Sequence, residues 1–358
     1  MTTDEKIQLI EQVGEEINTA EDLRALLESS KPLVAYDGFE PSGQMHIAQG
    51  ILRAINVNKT IKAGFTFKML VADWHGYLNN KLGGDLEKIQ TTGKYFIEVW
   101  KACGMDLDHV EFVWASEMVR KPEYWELVMK VATKVSLNRV LRTTQIMGRD
   151  DKDALSAAQI MYPIMQTADI FTLGATMTQL GLDQRKVNML ARQIGEEVGY
   201  WKPVVVSNHM LLGLEKPATD ISDTKERAIA LKMSKSKPDT AIFMTDTRDD
   251  IARKITKAWC PEGIVEENPI LEYARYILFE KFSTVTIKRP AQFGGEIAFE
   301  SYAALETAFA QKTVHPMDLK NAVIDLLDEL LQPVRAHFQN DPHARELLEK
   351  VLSYQVTR

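Results

Sequence analysis

Cysteine is nearly absent from this chain. Cys103 and Cys260 are its only two examples in 358 residues. They are too few for a disulfide framework and too far apart for a zinc motif, so free thiols in a reducing compartment are expected. No apolar run approaches the ~20 residues of a membrane span. The opening stretch, Met1 to Asn18, is acidic and amphipathic, with Ile7, Leu9, Ile10, Val13 and Ile17 on its apolar side. It has neither a secretory apolar region nor an arginine-rich transit pattern, which gives the expectation of a cytoplasmic protein with no membrane partner. Low-complexity segments and internal repeats are missing. So is an excess of positive charge: the formal net charge is −7. This argues against indiscriminate nucleic-acid binding, and a nucleic-acid partner would have to be met by local basic patches.

What is present describes a globular chain. The length predicts two or three domains with ample core, and 45% hydrophobic with 26% charged residues fits that class. Candidate basic patches are Lys134, Arg139, Arg142 and Arg149 in one helical-looking stretch, then Arg185, Lys186 and Arg192, then Lys288, Arg289, Lys312 and Lys320. Each is equally readable as a solvated face.

The most informative stretch is Lys232-Met233-Ser234-Lys235-Ser236, with Pro238 just beyond. Two cations and two hydroxyls in a polar run suit a loop that folds over a polyphosphate and stabilises charge growing there. Taken alone, such a run also describes a solvated loop. A second element, Tyr36-Asp37-Gly38-Phe39-Glu40-Pro41-Ser42-Gly43-Gln44-Met45-His46-Ile47-Ala48-Gln49, changes its weight. The apolar Pro32 to Ala35 before it reads as a buried strand, and Ile51 to Val57 after it reads as a helix. Pro41, Ser42 and Gly43 are turn residues. The unit is then strand, tight turn, helix, with His46 in the first helical turns, sharing a face with Gln49. A helix N-terminus with free N–H groups favours phosphate.

A third constellation is Tyr162-Pro163-Ile164-Met165-Gln166-Thr167-Ala168-Asp169-Ile170. Pro163 suits the first helical position, which would put Gln166 and Asp169 on one face. A carboxylate amid Ile, Met and Phe needs a partner if it is buried, or else faces water. The polar run Gly181 to Lys186 follows a predicted strand.

Strand–helix alternation starts at Leu33 and continues through Phe65 to Ala72, Glu111 to Trp114 and Val204 to Val206. This predicts an α/β protein with a doubly wound parallel sheet, ligands lying at the carboxyl ends of its strands. Residues 1–30 read as an outer helical extension, and residues 31–245 as the sheet domain with a helix-rich insertion at about 105–180. Residues 246–358 read as a mainly α-helical C-terminal domain: Asp250 to Trp259, Ile270 to Phe282 and Leu319 to Phe338 are helical patterns, with a β-like insert at Ser283 to Ile287.

Together the two phosphate-type elements resemble the paired HIGH and KMSKS signatures of class I aminoacyl-tRNA synthetases, which carry a Rossmann-like catalytic domain. KMSKS matches at every position; HIGH stands here as His46-Ile47-Ala48-Gln49, with only its first half intact. Alanine replaces the glycine that lets ATP approach the backbone, and Gln49 keeps a hydrogen-bond donor but no positive charge. The middle segment makes the chain similar, over nearly its whole length, to the tyrosyl-tRNA synthetases of archaea and eukaryotes.

That resemblance implies roles. Tyr36 and Asp169 would hold the phenolic hydroxyl of tyrosine, while Tyr162, Gln166 and Gln184 would hold its ammonium group. His75 would line the tyrosine pocket, although a packed histidine remains an equal reading. ATP would lie against Gly38, His46, Gln49, Asp183, Lys232 and Lys235, with Asp183 at the ribose. His46, Lys232 and Lys235 would be catalytic, with Mg²⁺ carried on the phosphates and no metal site in the protein itself. Residues 246–358 would bind the anticodon, Phe293 stacking on its first base and Asp318 reading that base's edge; Arg185 and Lys186 are further candidates for tRNA contact. A homodimer is the family expectation. The implied reaction joins tyrosine to ATP as an adenylate and passes it to the terminal adenosine of tRNA(Tyr). Two alternatives stay open: a tryptophanyl-tRNA synthetase, and a catalytically silent tRNA-binding paralogue.

Overall fold

Short runs rich in Val, Leu, Met and Phe supply most of a six-stranded sheet: β1 (Gly14–Asn18), β2 (Val34–Phe39), β3 (Thr66–Val71), β4 (Val110–Trp114), β5 (Met177–Gly181) and β6 (Val204–Asn208). The computed structural model describes residues 1–148, 154–217, 221–235 and 237–354. Its strand order is β1-β6-β5-β2-β3-β4. Strands β2 to β6 are parallel, and β1 runs antiparallel to β6 at one edge.

The connections explain the order. From β2 the chain passes through α3 (Ile51–Lys62) to β3, then through α4 (Asp73–Leu78) and α5 (Leu86–Ala102) to β4. It returns to the other side of β2 through α6 (Ala115–Met118), α7 (Pro122–Ala132), α8 (Leu137–Thr143) and α9 (Ala157–Thr172), reaching β5. Helix α10 (Arg185–Ile194) then leads to β6. The path reverses direction between β2 and β5, and a crevice opens at their carboxyl ends. This is the doubly wound, Rossmann-like arrangement expected from the alternation.

The N-terminal residues depart from expectation. Two short helices, α1 (Thr3–Glu11) and α2 (Ala20–Glu28), are present, but Gly14–Asn18 between them is a sheet strand rather than helix. Its partner β6 lies some 190 residues away in sequence, so no local pattern marks it.

After α11 (Thr224–Leu231) helices dominate: α12 (Arg248–Lys257), α13 (Pro269–Tyr273), α14 (Phe279–Lys281), α15 (Tyr302–Ala310), α16 (Pro316–Asn340) and α17 (Pro342–Ser353), with a small hairpin of β7 (Val285–Ile287) and β8 (Ile297–Phe299). Helix α16 packs on α12 and α5, and α17 lies along α5. One apolar cluster joins Ile55, Phe67 and Trp100 on one face of the sheet to Ile251, Leu327 and Phe338 of this region. The helical region thus shares a core with the sheet. A second cluster covers the opposite face, between the sheet and α7, α9 and α10. Among the described residues no helix is long and apolar enough to cross a membrane.

Candidate active site

A cavity of about 1290 Å³ follows the carboxyl ends of β2, β3, β5 and β6. Every residue proposed from sequence for tyrosine, ATP or catalysis lines it: Tyr36, Gly38, His46, Gln49, His75, Tyr162, Gln166, Asp169, Asp183, Gln184, Lys232 and Lys235.

Its inner end is built by β2 and α9. Helix α9 starts at a capping box formed by Ser156 and Gln159, and Pro163 lies inside the helix. The expectation of Pro163 at the first helical position is therefore corrected: the serine cap, not the proline, sets the start. Tyr162, Gln166 and Asp169 still share the buried face. Asp169 is fully buried; its Oδ1 accepts from the Tyr124 hydroxyl at 2.8 Å, and its Oδ2 lies 2.9 Å from His75 Nε2. Tyr124 was not anticipated, since nothing in its own segment marks it. The His75 ring meets Tyr162 edge-on at 5.0 Å. Burial pushes the His75 ring toward the neutral form, but Asp169, with Glu40 and Asp73, more than offsets this and its pKa is raised. The Tyr36 hydroxyl is buried beside Asp169, and burial followed by the Asp169 and Asp37 charges holds it well above the usual phenol range. A Cβ at Gly38 would stand 3.3 Å from Tyr36 Oη, so the bare glycine leaves room above the hydroxyl.

Next comes a polar girdle. Gln166 Nε2 donates to Gln184 Oε1 at 3.1 Å, and Gln184 Nε2 donates to the Ile146 carbonyl at 3.0 Å. The Tyr162 hydroxyl donates to Glu40 Oε1 at 2.7 Å, and Asn79 Nδ2 reaches both Glu40 oxygens at 3.1 Å. Lys81 Nζ stands 3.6 Å from Glu40. Glu40 and Lys81 were not singled out from sequence, although Glu40 lies within the first signature.

The outer end carries the phosphate-type elements. His46 to Gln49 form a turn rather than the first turns of a helix, and α3 begins only at Ile51. The Ile47 N–H donates to the Ile242 carbonyl at 2.8 Å, and the Met244 N–H donates to the Met45 carbonyl at 2.9 Å. This pairing with a segment some 200 residues later anchors a turn, in which the Gln49 and Gly50 N–H groups both donate to the His46 carbonyl ahead of the helix proper. His46 and Gln49 therefore share no helix face. Gly50 is required by close approach: a Cβ there would meet Met244 Sδ at 2.3 Å. His46 is nearly buried, and burial, then the Lys235 and Lys232 charges, hold its pKa well below the usual imidazole range. The ring is neutral and offers one N–H.

Lys232 Nζ donates to Asp183 Oδ2 at 2.5 Å. Lys235 Nζ lies 3.4 Å from Ser42 Oγ and 4.7 Å from the centre of the Phe96 ring, so the second signature folds onto the first. Burial, then the nearby Lys81 charge, lowers the Lys235 pKa to about 7. Ser236 lies outside the described residues. Beneath the outer end, Arg53 Nε pairs with Asp37 Oδ2 at 2.9 Å, both nearly buried, and burial raises the Asp37 pKa to about 6. Sequence reasoning missed this pair. Among the described residues no group of three or more His, Cys, Asp or Glu side chains could hold a metal ion.

The remaining candidates lie elsewhere. Phe293 is 63% exposed, and neither it nor Asp318, in the first turn of α16, lines the cavity. Arg185 grips Glu16 of β1 through two hydrogen bonds of 2.5 and 2.9 Å, and Lys186 bonds Gln145. Two members of the basic patches are not surface cations at all. Arg192 is buried on the Pro203 carbonyl and Asp22, and Lys320 is buried on the carbonyls of Thr256 and Ala258. Arg149 falls outside the described residues.

A sequence model of the family described as tRNA synthetases class I (W and Y) matches residues 28–332. The chain belongs to that family. It is 46% identical over 358 residues to the cytoplasmic tyrosine–tRNA ligase 1 of Arabidopsis thaliana, covering 99% of this chain and 90% of that one. A tyrosine–tRNA ligase of Saccharolobus islandicus is 40% identical over 363 residues, covering the whole of both chains. Among solved structures, the tyrosyl-tRNA synthetase of Pyrococcus horikoshii complexed with L-tyrosine superposes with a TM-score of 0.91 at 38% identity, covering 98% of this chain and 100% of that one.

Proposed function

We propose that this family member is a tyrosine–tRNA ligase. It activates L-tyrosine with ATP to tyrosyl-adenylate and pyrophosphate, then transfers tyrosine to the 3′-terminal adenosine of tRNA(Tyr). The observation that carries the amino-acid choice is the fully buried Asp169, aimed with Tyr36 into the inner end of the cavity. A substrate hydroxyl offers these groups a further hydrogen bond inside the pocket, which phenylalanine cannot make. Pockets of this kind reject the analogue lacking the oxygen far more strongly than apolar pockets reject a missing methylene, and tyrosyl-tRNA synthetases are themselves the standard example. Tyr162, Gln166 and Gln184 take the ammonium group, and His75 orients Asp169.

The tyrosine carboxylate attacks the α-phosphorus in line, and the bond to the bridging oxygen of the departing pyrophosphate breaks. No covalent enzyme intermediate forms. Positioning and charge stabilisation supply the rate. The ATP ribose takes Asp183. Gly38 and Gln49 line the nucleotide space, and neutral His46 with Lys232 and Lys235 meets the phosphates. Mg²⁺ suits this donor set as an ion carried mainly by the phosphates, where it neutralises their charge.

Residues 31–245 form the catalytic unit and 246–358 the anticodon-binding unit, with Phe293 and Asp318 reading the anticodon. Exposed Phe293 suits stacking. Arg185 and Lys186 border the tRNA path. A homodimer is supported by the exposed apolar side chains Trp125, Met129, Leu137 and Leu141 on α7 and α8. The protein acts in the cytoplasm. ATP–pyrophosphate exchange tests the reading across the common amino acids: stimulation by tyrosine alone is expected. Stimulation by tryptophan instead, or by no amino acid in folded protein that still binds tRNA, would overturn it.

A further inference from the structure

His209 lies just beyond the end of β6, where it lines the cavity and lies between two carboxylates far apart in the chain. Its Nδ1 stands 3.4 Å from Glu15 of β1, and its Nε2 stands 3.3 Å from Glu272 of α13. The ring also stacks on Tyr276 at 4.1 Å with the planes 15° apart. Three separate elements therefore fix one imidazole.

Glu272 does more than face the ring. Its other oxygen accepts from the Leu212 backbone N–H at 2.9 Å. The backbone on either side of Leu212 carries the root of the Lys232–Lys235 loop. Met233 N–H donates to the Leu211 carbonyl, and Gly213 N–H donates to the Leu231 carbonyl, both at 2.9 Å. Lys232 and Leu212 form a bridge. One carboxylate from the helical region thus holds a side chain and a backbone group of residues 209–212, and those residues hold the loop that presents Lys232 and Lys235 to the cavity.

We propose that His209 and Glu272 are positioning residues for adenylate formation, a pair that fixes the 209–213 segment and through it the placement of Lys232 and Lys235 over ATP. This rests on the reading of the 232–235 stretch as the ATP-facing loop. Two parallel interactions are combined, one charge-assisted through the ring and one through the Leu212 N–H. Loss of either lets the loop root shift, and catalytic positioning tolerates little displacement. Tyrosine binds at the other end of the cavity and is not served by the pair.

The groups facing His209 are Glu15, Glu272 and Tyr276, with Arg275 beside Tyr276 and Lys225 beside Glu15. Burial lowers the His209 pKa, but the bonds to Glu15 and Glu272 more than offset this and raise it to about 9. The charged clamp is complete at neutral pH and is lost as pH rises through about 9.

The test uses the full-length enzyme with His209→Gln, Glu272→Gln and the double variant, the glutamines preserving size. Adenylate formation is measured in single turnover against ATP concentration, with tyrosine affinity by equilibrium dialysis and folding by thermal unfolding. Each single variant is expected to slow adenylate formation at least about tenfold, with tyrosine affinity within about twofold of the parent. The double variant is expected to be little worse than either single one. At saturating ATP the parent is expected to lose rate toward pH 9, and His209→Gln to lack that decline. Folded variants with parental kinetics, equal losses in tyrosine affinity and rate, or fully additive losses would overturn the proposal. Glu272→Ala, which removes both contacts, provides the larger effect if the glutamine variants prove mild; parental kinetics there are equally fatal. A parent enzyme without tyrosine-dependent exchange would sink the functional reading instead of the clamp.

Discussion

Lys232 Nζ and Asp183 Oδ2 are 2.5 Å apart. The lysine expected to meet phosphate is thus bound to the carboxylate expected to meet ribose. In the proposed reading ATP exchanges these partners, its ribose hydroxyls taking Asp183 and freeing Lys232 for the phosphates. Asp183→Ala is predicted to weaken ATP roughly ten- to a hundredfold, in line with about 1.5–3 kcal/mol for a hydrogen bond to a charged group. Tyrosine affinity should stay near the parental value. Exchange assays at varied ATP and tyrosine separate the two; an unchanged KM for ATP would remove Asp183 from the nucleotide site.

The Tyr124 hydroxyl, 2.8 Å from Asp169 Oδ1, is predicted to tune the inner pocket. Tyr124→Phe removes one donor from a buried carboxylate at a cost of about 1–2 kcal/mol, or roughly tenfold in KM for tyrosine. Asp169→Asn is predicted to do more and to erode the preference for tyrosine over phenylalanine. The ratio of kcat/KM for the two amino acids in exchange measures both. A Tyr124→Phe enzyme with parental KM would show that His75 alone suffices.

Lys235 gives a pH dependence. Its pKa is lowered to about 7 by burial and then by Lys81, so near neutrality it is partly uncharged. A polyphosphate favours the charged form, and ATP binding above pH 7 must therefore take up a proton. Affinity for ATP is predicted to fall as pH rises from 7 to 9. Lys81→Met, which removes the second cause, should move that fall to higher pH. Calorimetry of ATP binding in buffers of different ionisation enthalpy reads the proton directly, and equal apparent enthalpies in all of them would refute the prediction.

The Arg53–Asp37 pair, 2.9 Å apart and nearly buried, predicts a stability effect. Arg53→Met leaves Asp37 buried without its cation, at a cost of about 3–5 kcal/mol. Asp37 already has a raised pKa of about 6, and losing the arginine, its main opposing influence, raises it further. The unpaired carboxylate is then neutral below its pKa and charged above. The deficit should be smallest below pH 6, where both proteins hold the carboxyl neutral, grow as pH rises above 6, and be full only above the variant's higher pKa. Denaturant unfolding of both proteins across pH 5 to 8 measures it, and a deficit that does not change with pH would show that lost packing, not charge, is responsible.

The sequence and the structure divide the work by range. Local chemistry was legible. The Lys232–Lys235 run, the Tyr36–Gln49 turn and the Tyr162–Asp169 helix each declared themselves through residue type and spacing, and strand–helix alternation indicated where a parallel sheet would bring them together. His46 was misplaced because its backbone partners, the residues at 242–244, lie far along the chain. Strand β1 was missed because an edge strand takes its identity from its neighbour. Lys320 and Arg192 looked like surface cations because sequence does not show which backbone carbonyls need a donor.

By itself, then, the sequence determined an inventory of side chains and their local elements: an acid, phenols and amides in the middle of the chain, and cations near a turn. Side-chain type and short periodicities carry that much, and the resemblance to the synthetase signatures assigned the two sets to an amino acid and a nucleotide. Only tertiary structure decided which groups face one another. Tyr124 on Asp169, Arg53 on Asp37, Lys232 on Asp183 and Glu272 on His209 join residues 16 to 63 positions apart, and burial, which sets their pKa values and their cost when unpaired, exists only once the chain has packed.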